Sequence, residues 1–207
     1  VQLHNIENIA WLELLQRADA ISIHVPLTHS GEYPTQHLFD DAVFAQIKAS
    51  AILINSARGP VIKQSALIAD IEKTKRKVVL DVFEFEPEIP QQLLELLALA
   101  TPHIAGYSLE GKAKGTQMIY DAFCEKFGYA ASKRYESQLP VVDAYFEHQD
   151  LKSALKQSLS EIYNIFEDDQ ALRACVNDGK VQQQAFDLLR KNYPLRREWA
   201  AHGGPKA

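Results

Sequence analysis

Cysteine is nearly absent. Cys124 and Cys175 are the only two in 207 residues, in helix-like surroundings, which supports neither a disulfide framework nor a cysteine-based zinc site and fits a reducing, cytoplasmic setting. Long apolar runs are missing too. None reaches the roughly 18 residues of a membrane span, and the start lacks a basic segment followed by an apolar one, so the expectation is a soluble protein without a membrane partner. There is no block of single-sign charge. With 22 basic and 27 acidic residues interspersed and a net charge of −5, nucleic acid is not expected as a partner. His4, His24, His29, His37, His148 and His202 lack the tight spacing of metal ligands, and no metal is expected. Internal repeats and low-complexity tracts are likewise missing.

What is present is ordinary globular composition, 46% apolar and 24% charged, enough for one large domain or two small ones. Apolar residues at helical spacing from Ile6 to Arg17 precede a short apolar run, Ala20 to Val25, that ends at Pro26. The alternation continues: helix Asp40 to Lys48, strand Ala51 to Asn55, helix Ser65 to Lys73, strand Lys77 to Val82. A Leu-rich helix from Pro90 to Leu99, a strand Ala100 to Ile104 and a long helix Leu109 to Phe127 complete the block. Such alternation predicts parallel strands joined by crossover helices. After Gly128 the texture changes. One strand, Val141 to Phe146, and helices Leu151 to Phe166, Asp169 to Val176 and Val181 to Asn192 are expected, with a boundary at residues 128 to 138. The expectation is thus residues 1–128 as one domain and 129–207 as a second, mostly helical α+β module.

Three strand ends carry chemistry. Ile52-Leu53-Ile54-Asn55-Ser56-Ala57-Arg58-Gly59 delivers an arginine onto a Gly-Pro turn. Val78 to Val82 runs through Asp81 into Phe83-Glu84-Phe85-Glu86-Pro87, and Thr101-Pro102-His103-Ile104-Ala105-Gly106-Tyr107 sets a histidine beside a glycine turn. The carboxyl ends of strands in a parallel sheet open onto the ligand crevice, so residues far apart in sequence can converge there. A histidine with a carboxylate on its second nitrogen is a general acid/base pair, and an arginine fork matches a substrate carboxylate. Taken singly, each has a plainer reading: His103 as a loop histidine, Glu86 as a solvated turn residue, Arg58 as a surface arginine capping the next helix, and Asp81 as a turn cap.

These motifs, Asn55-x-x-Arg58-Gly59, Asp81-Val82-x-x-x-Glu86-Pro87 and His103-x-x-Gly106, resemble in order and spacing the signature of the D-isomer-specific 2-hydroxyacid dehydrogenases. The resemblance implies the C-terminal part of a Rossmann-type α/β parallel-sheet domain, with NAD as cofactor. It implies Arg58, Glu86 and His103 as catalytic residues. Asp81, Gly106 and Ser56 match cofactor-contacting positions, as does Val25 in His24-Val25-Pro26-Leu27, where a valine replaces the family's threonine and leaves only a backbone or packing contact. His103 to Thr116, with Tyr107 after the glycine and Glu110-Gly111-Lys112-Ala113 opening the helix, is similar to a branch of the family that acts on a phosphorylated 2-hydroxy acid. There Tyr107 is the substrate-binding position. Leu189 to Trp199 is similar to that branch's dimerisation module, implying a homodimer. Cation–aromatic packing in a subunit contact accounts for Arg196 and Arg197 among aromatics better than nucleic-acid binding does. Lys112 and Lys114 read as a solvated basic turn.

The family's Gly-x-Gly-x-x-Gly phosphate turn has no counterpart in this chain. Because the chain starts at Val1, close to an amphipathic pattern, sequence is expected upstream, with a few tens of residues beyond Ala207. Two rivals share the fold: a general reductase of simpler 2-oxo acids, which the Tyr107 to Thr116 pattern disfavours, and a non-catalytic NAD-sensing protein, which the retained trio disfavours; a third reading is a truncated product without activity, and the isolated chain is expected to be inactive.

Overall fold

Four short apolar runs align side by side: β1 (Ala20–Ile23), β2 (Ile52–Asn55), β3 (Val78–Leu80) and β4 (Leu99–Ala100). The computed structural model describes residues 6–142 and 162–202. The strands form one sheet in the order β1-β2-β3-β4, every pair parallel. Ile23 pairs with Asn55, Asn55 with Leu80 and Leu80 with Ala100, so the strands end in one row. That row is where the three motifs begin.

The connections are helical: α1 (Trp11–Arg17), α2 (Asp41–Phe44), α3 (Gln64–Thr74) and α4 (Gln91–Leu96). Asp40 caps α2, its Oδ1 accepting the Val43 N–H at 2.9 Å, which satisfies one of the helix's orphan donors. Leu67 and Ile71 of α3 and Leu93 and Leu94 of α4 are buried in the same core as Leu53, Val78 and Leu80.

Several elements are shorter than their apolar patterns. Residues 6–10 are not helical, so the expected helix from Ile6 begins at Trp11. The helix expected over Asp40 to Lys48 ends at Phe44 and gives way to turns. The strand expected to reach Ile104 stops at Ala100. There Pro102 has no N–H to continue the ladder, and His103 leaves extended geometry altogether with φ 56°.

Among the described residues the chain divides into two compact units, one made of 6–104 with 166–192 and the other of 105–142 with 162–165 and 193–202. The break expected at 128 to 138 comes after the long helix, inside the second of these. In the sheet unit, residues 166–192 add most of α6 (Ile165–Arg173), a hairpin of β5 (Val176–Asn177) and β6 (Lys180–Val181), and α7 (Gln183–Lys191). Leu172, Val181 and Phe186 enter the core. Asp169 Oδ1 accepts the Ala100 N–H at 2.7 Å, and Arg173, bound to Asp169 Oδ2, donates to the carbonyls of Leu94 and Leu97. The hairpin occupies the break between the expected helices Asp169 to Val176 and Val181 to Asn192, and takes Val176 and Val181 out of those helices into paired strands. Asp178 and Gly179 both have positive φ, 50° and 76°, the two-residue turn that Asp-Gly favours between paired strands.

In the other unit α5 (Leu109–Phe127) runs the full expected length. Ser108 caps it through Gly111 N at 2.9 Å, and Gly128, with φ 72°, ends it in the left-handed conformation that closes many helices. Arg197 Nε donates to Glu110 Oε1 at 2.5 Å, Glu198 N to Glu110 Oε2 at 3.0 Å, and Arg197 also donates to the Pro140 carbonyl. Residues 141 and 142 are not in a strand. The rest of the expected strand Val141 to Phe146, and the expected helix from Leu151 as far as residue 161, lie outside the described residues.

Candidate active site

The loop after β2 is shaped by the strand's last side chain. Asn55, 1% exposed, accepts the Ala57 N–H through Oδ1 at 3.0 Å and donates from Nδ2 to the Arg58 carbonyl at 2.9 Å. This clip turns the chain so that Arg58 emerges exposed. Its guanidinium donates to the Ala57 carbonyl at 2.6 Å and caps no helix: the short 3₁₀ turn Gly59–Val61 begins after it without a side-chain cap. Gly59 is required by space, because a Cβ there would lie 1.8 Å from the Phe83 carbonyl oxygen and 2.7 Å from Glu84 N. The loops after β2 and β3 therefore lie backbone to backbone.

After β3, Glu86 turns back on its own loop. Its Oε1 accepts the Phe83 N–H at 2.7 Å and its Oε2 lies 2.8 Å from His103 Nδ1. The Glu86-Pro87 bond is cis. With the carboxylate on Nδ1, that nitrogen carries the proton and Nε2 is left as the basic atom. The pair is sheltered but not sealed, 32% exposed at His103 and 20% at Glu86. His103 hangs from β4 by two bonds: Thr101 N donates to the Leu80 carbonyl and His103 N to the Thr101 carbonyl. The left-handed φ falls on His103, not on Gly106, a sparsely populated conformation that packing must hold.

Asp81, 5% exposed, anchors that same loop. Its Oδ1 accepts from Thr101 Oγ1 at 2.6 Å and Ile104 N at 2.8 Å, so one carboxylate oxygen serves the turn. Val25 and Ser56, half-buried, follow the ends of β1 and β2. The loops that follow the aligned strand ends thus carry Val25, Ser56, Arg58, Asp81, Glu86 and His103, of which Glu86 and His103 are in direct contact, at the end of the sheet where an open parallel sheet binds a dinucleotide. This small, partly polar lining fits the nicotinamide end of NAD. No Gly-x-Gly-x-x-Gly turn for its pyrophosphate exists in the sequence.

Gly106 and Tyr107 belong to the other unit. Tyr107 stacks edge-on against Tyr193 at 5.7 Å, with the Lys112 ammonium 4.3 Å from its ring centre. Tyr107, Lys112, Tyr193 and Arg196 line a cavity of about 250 Å³. Two polar residues beside the trio escaped the sequence reading: Glu84, which accepts Gln64 N at 2.6 Å, and His37, whose Nε2 is 2.6 Å from Glu84. Nothing in the spacing of His37 pointed to a partner 47 positions away. Among the described residues there is no cluster of ligands for a metal ion and no helix long and apolar enough to cross a membrane.

Residues 2–105 match the family described as D-isomer specific 2-hydroxyacid dehydrogenase, NAD binding domain, and residues 139–202 match a domain of unknown function, DUF3410. The chain is 67% identical over its whole length to an erythronate-4-phosphate dehydrogenase of Acinetobacter baumannii, covering 58% of that protein. It is 45% identical to one of Psychrobacter arcticus, over 95% of this chain and 55% of that protein. It therefore spans little more than half the length of these curated relatives. Among solved structures, the holo form of Rhodotorula graminis D-mandelate dehydrogenase is 40% identical over 49% of this chain and 29% of its own, with a TM-score of 0.44. By its sheet, its strand-end motifs and the match over half its length, the chain belongs to the D-isomer-specific 2-hydroxyacid dehydrogenase family, whose NAD-binding domain it carries.

Proposed function

We propose that the full-length protein containing this chain is an NAD-dependent dehydrogenase that oxidises 4-phospho-D-erythronate to 2-oxo-3-hydroxy-4-phosphobutanoate, a step toward pyridoxal phosphate. The observation that carries the chemistry is the 2.8 Å contact between His103 Nδ1 and Glu86 Oε2, which leaves Nε2 to take a proton. Likeness to the erythronate-4-phosphate dehydrogenases supports the choice of substrate.

In this reading His103 Nε2 removes the proton of the C2 hydroxyl, and Glu86 stabilises the imidazolium that results. Arg58, presented at the rim by the Asn55 clip, holds the substrate carboxylate and polarises the forming carbonyl. NAD, when bound, supplies the acceptor for the hydride that leaves C2. Val25, Ser56, Asp81 and Gly106 contact it, and Tyr107 contacts substrate. The protein is a homodimer: Met118, Ile119, Phe123 and Phe127 on α5 are more than half exposed, an apolar stripe suited to a second copy. Two cysteines without a disulfide suit the cytoplasm.

The test follows NADH absorbance with the full-length protein and 4-phospho-D-erythronate, glycerate and lactate in turn, with a 2-oxo acid present to recycle held cofactor. Turnover confined to the phosphorylated substrate is expected. Turnover on the simpler acids alone points to a general reductase, and none on any substrate overturns the enzymatic reading.

A further inference from the structure

A second histidine–carboxylate pair stands in the same unit as the first. Glu84 Oε1 lies 2.6 Å from His37 Nε2, and Glu84 Oε2 accepts the N–H of Gln64, the first residue of α3, at 2.6 Å. The Glu84 side chain is 11% exposed against 20% for Glu86, so it is the more desolvated carboxylate, and each of its oxygens is engaged. His37 holds a left-handed backbone, φ 53°, which a non-glycine residue keeps only when its surroundings determine it.

Those surroundings are the two loops that carry the chemistry. The His37 N–H donates to the Pro60 carbonyl at 2.8 Å, two residues past Arg58, while its ring grips Glu84, two residues before Glu86. Between these anchors Gly59 presses against the Phe83 carbonyl, where a Cβ would come within 1.8 Å. Lys63, bound to Asp41 Oδ2 at 2.8 Å, brings a further positive charge toward Glu84, while Asp40 and Asp41 bring negative charge to Lys63 itself.

We propose that His37 is a positioning residue for the reaction above, on which this inference rests: it ties the Arg58 loop to the Glu86 loop, so that the substrate anchor and the proton relay keep one spacing. His37 touches neither Glu86 nor His103 in this role. It acts through Glu84, whose placement sets where Glu86 presents its carboxylate. Loosening the tie weakens the support that Glu86 gives the His103 imidazolium, and the expected signature is a change in how His103 titrates.

The experiment uses the full-length holoenzyme and reads the His103 ring by NMR titration beside the pH dependence of kcat/KM. His37→Leu is expected to lower the His103 midpoint and the acid limb together by about half a pH unit and to reduce kcat/KM about tenfold. His37→Gln, whose amide still donates to Glu84, restores both. Glu84→Gln, which keeps an oxygen for Gln64 N but loses the charge, moves them as His37→Leu does and serves if that variant fails to fold. An unmoved His103 midpoint in His37→Leu and Glu84→Gln, or a His37→Gln protein displaced as far as His37→Leu, overturns the proposal. Absence of turnover in the unsubstituted protein would instead overturn the reaction, and the NMR titration would still decide for or against His37.

Discussion

Arg58, Glu86 and His103 owe their placement to three short-range devices, and each device predicts a different response. Removing the proposed proton acceptor in the full-length protein, His103→Ala, is expected to lower turnover by about 10²- to 10⁴-fold with NAD affinity within about twofold of normal, checked by steady-state rates and cofactor titration. Glu86→Gln withdraws the charge that stabilises the imidazolium, so the acid limb of the pH profile moves to lower pH. An unmoved limb would remove Glu86 from its role. Gly59→Ala meets backbone, not a yielding side chain, at 1.8 Å. A loss of stability above about 2 kcal/mol, measured by denaturant unfolding, is expected as the two loops are forced apart. Gly59 was legible as part of a motif, but its reason was not, because the carbonyl it makes room for belongs to Phe83, 24 positions on in the sequence.

At the scale of elements, the sheet unit depends on a buried ion pair that no motif announced. Arg76, fully enclosed, donates to Asp70 at 2.6 and 3.3 Å and reaches the Lys48 and Ala51 carbonyls, joining the end of α3 to the turn before β2. Arg76→Ala leaves Asp70 as an unpaired buried charge and is expected to cost about 3–5 kcal/mol in a denaturant titration. In the other unit, burial alone would raise the Glu110 carboxyl, but the Arg197 guanidinium and the N–H groups of Glu110 and Glu198 outweigh it and hold it below the ordinary glutamate range. A lowered folded pKa means that Glu110 stabilises fully above its unfolded value and that the contribution is lost as pH falls through the folded value. Glu110→Gln should therefore lower Tm at neutral pH, with the gap to the unsubstituted protein narrowing toward about pH 3. A gap that stays constant over that range would remove the carboxylate's charge from the explanation.

For the whole molecule, the exposed stripe on α5 sets the expectation for assembly. Ile119, 75% exposed, is the most exposed residue of that stripe, and Ile119→Asp is expected to shift the full-length protein from the proposed dimer to monomer in sedimentation analysis. A protein that remains dimeric would place the interface elsewhere. The parallel sheet, the long helix and the order of the three strand-end motifs were readable from residues alone, since apolar runs, helical spacing and Gly or Pro punctuation are local properties of a chain. The hairpin Val176 to Val181 was readable too, through Asn177-Asp178-Gly179, but was submerged in the helical texture on either side. Which segments share a core was not readable: Leu172, Val181 and Phe186 return to the sheet because Asp169 and Arg173 satisfy backbone groups of Leu94, Leu97 and Ala100. The sequence by itself determined the chemistry on offer, an arginine, a carboxylate and a histidine on successive strand ends. Only the tertiary structure decided that Glu86 meets Nδ1 rather than Nε2, that the positive φ falls on His103, and that Glu84 is claimed by His37. Each of these depends on hydrogen bonds and close approaches between residues 17 to 47 positions apart, where local propensity carries no information.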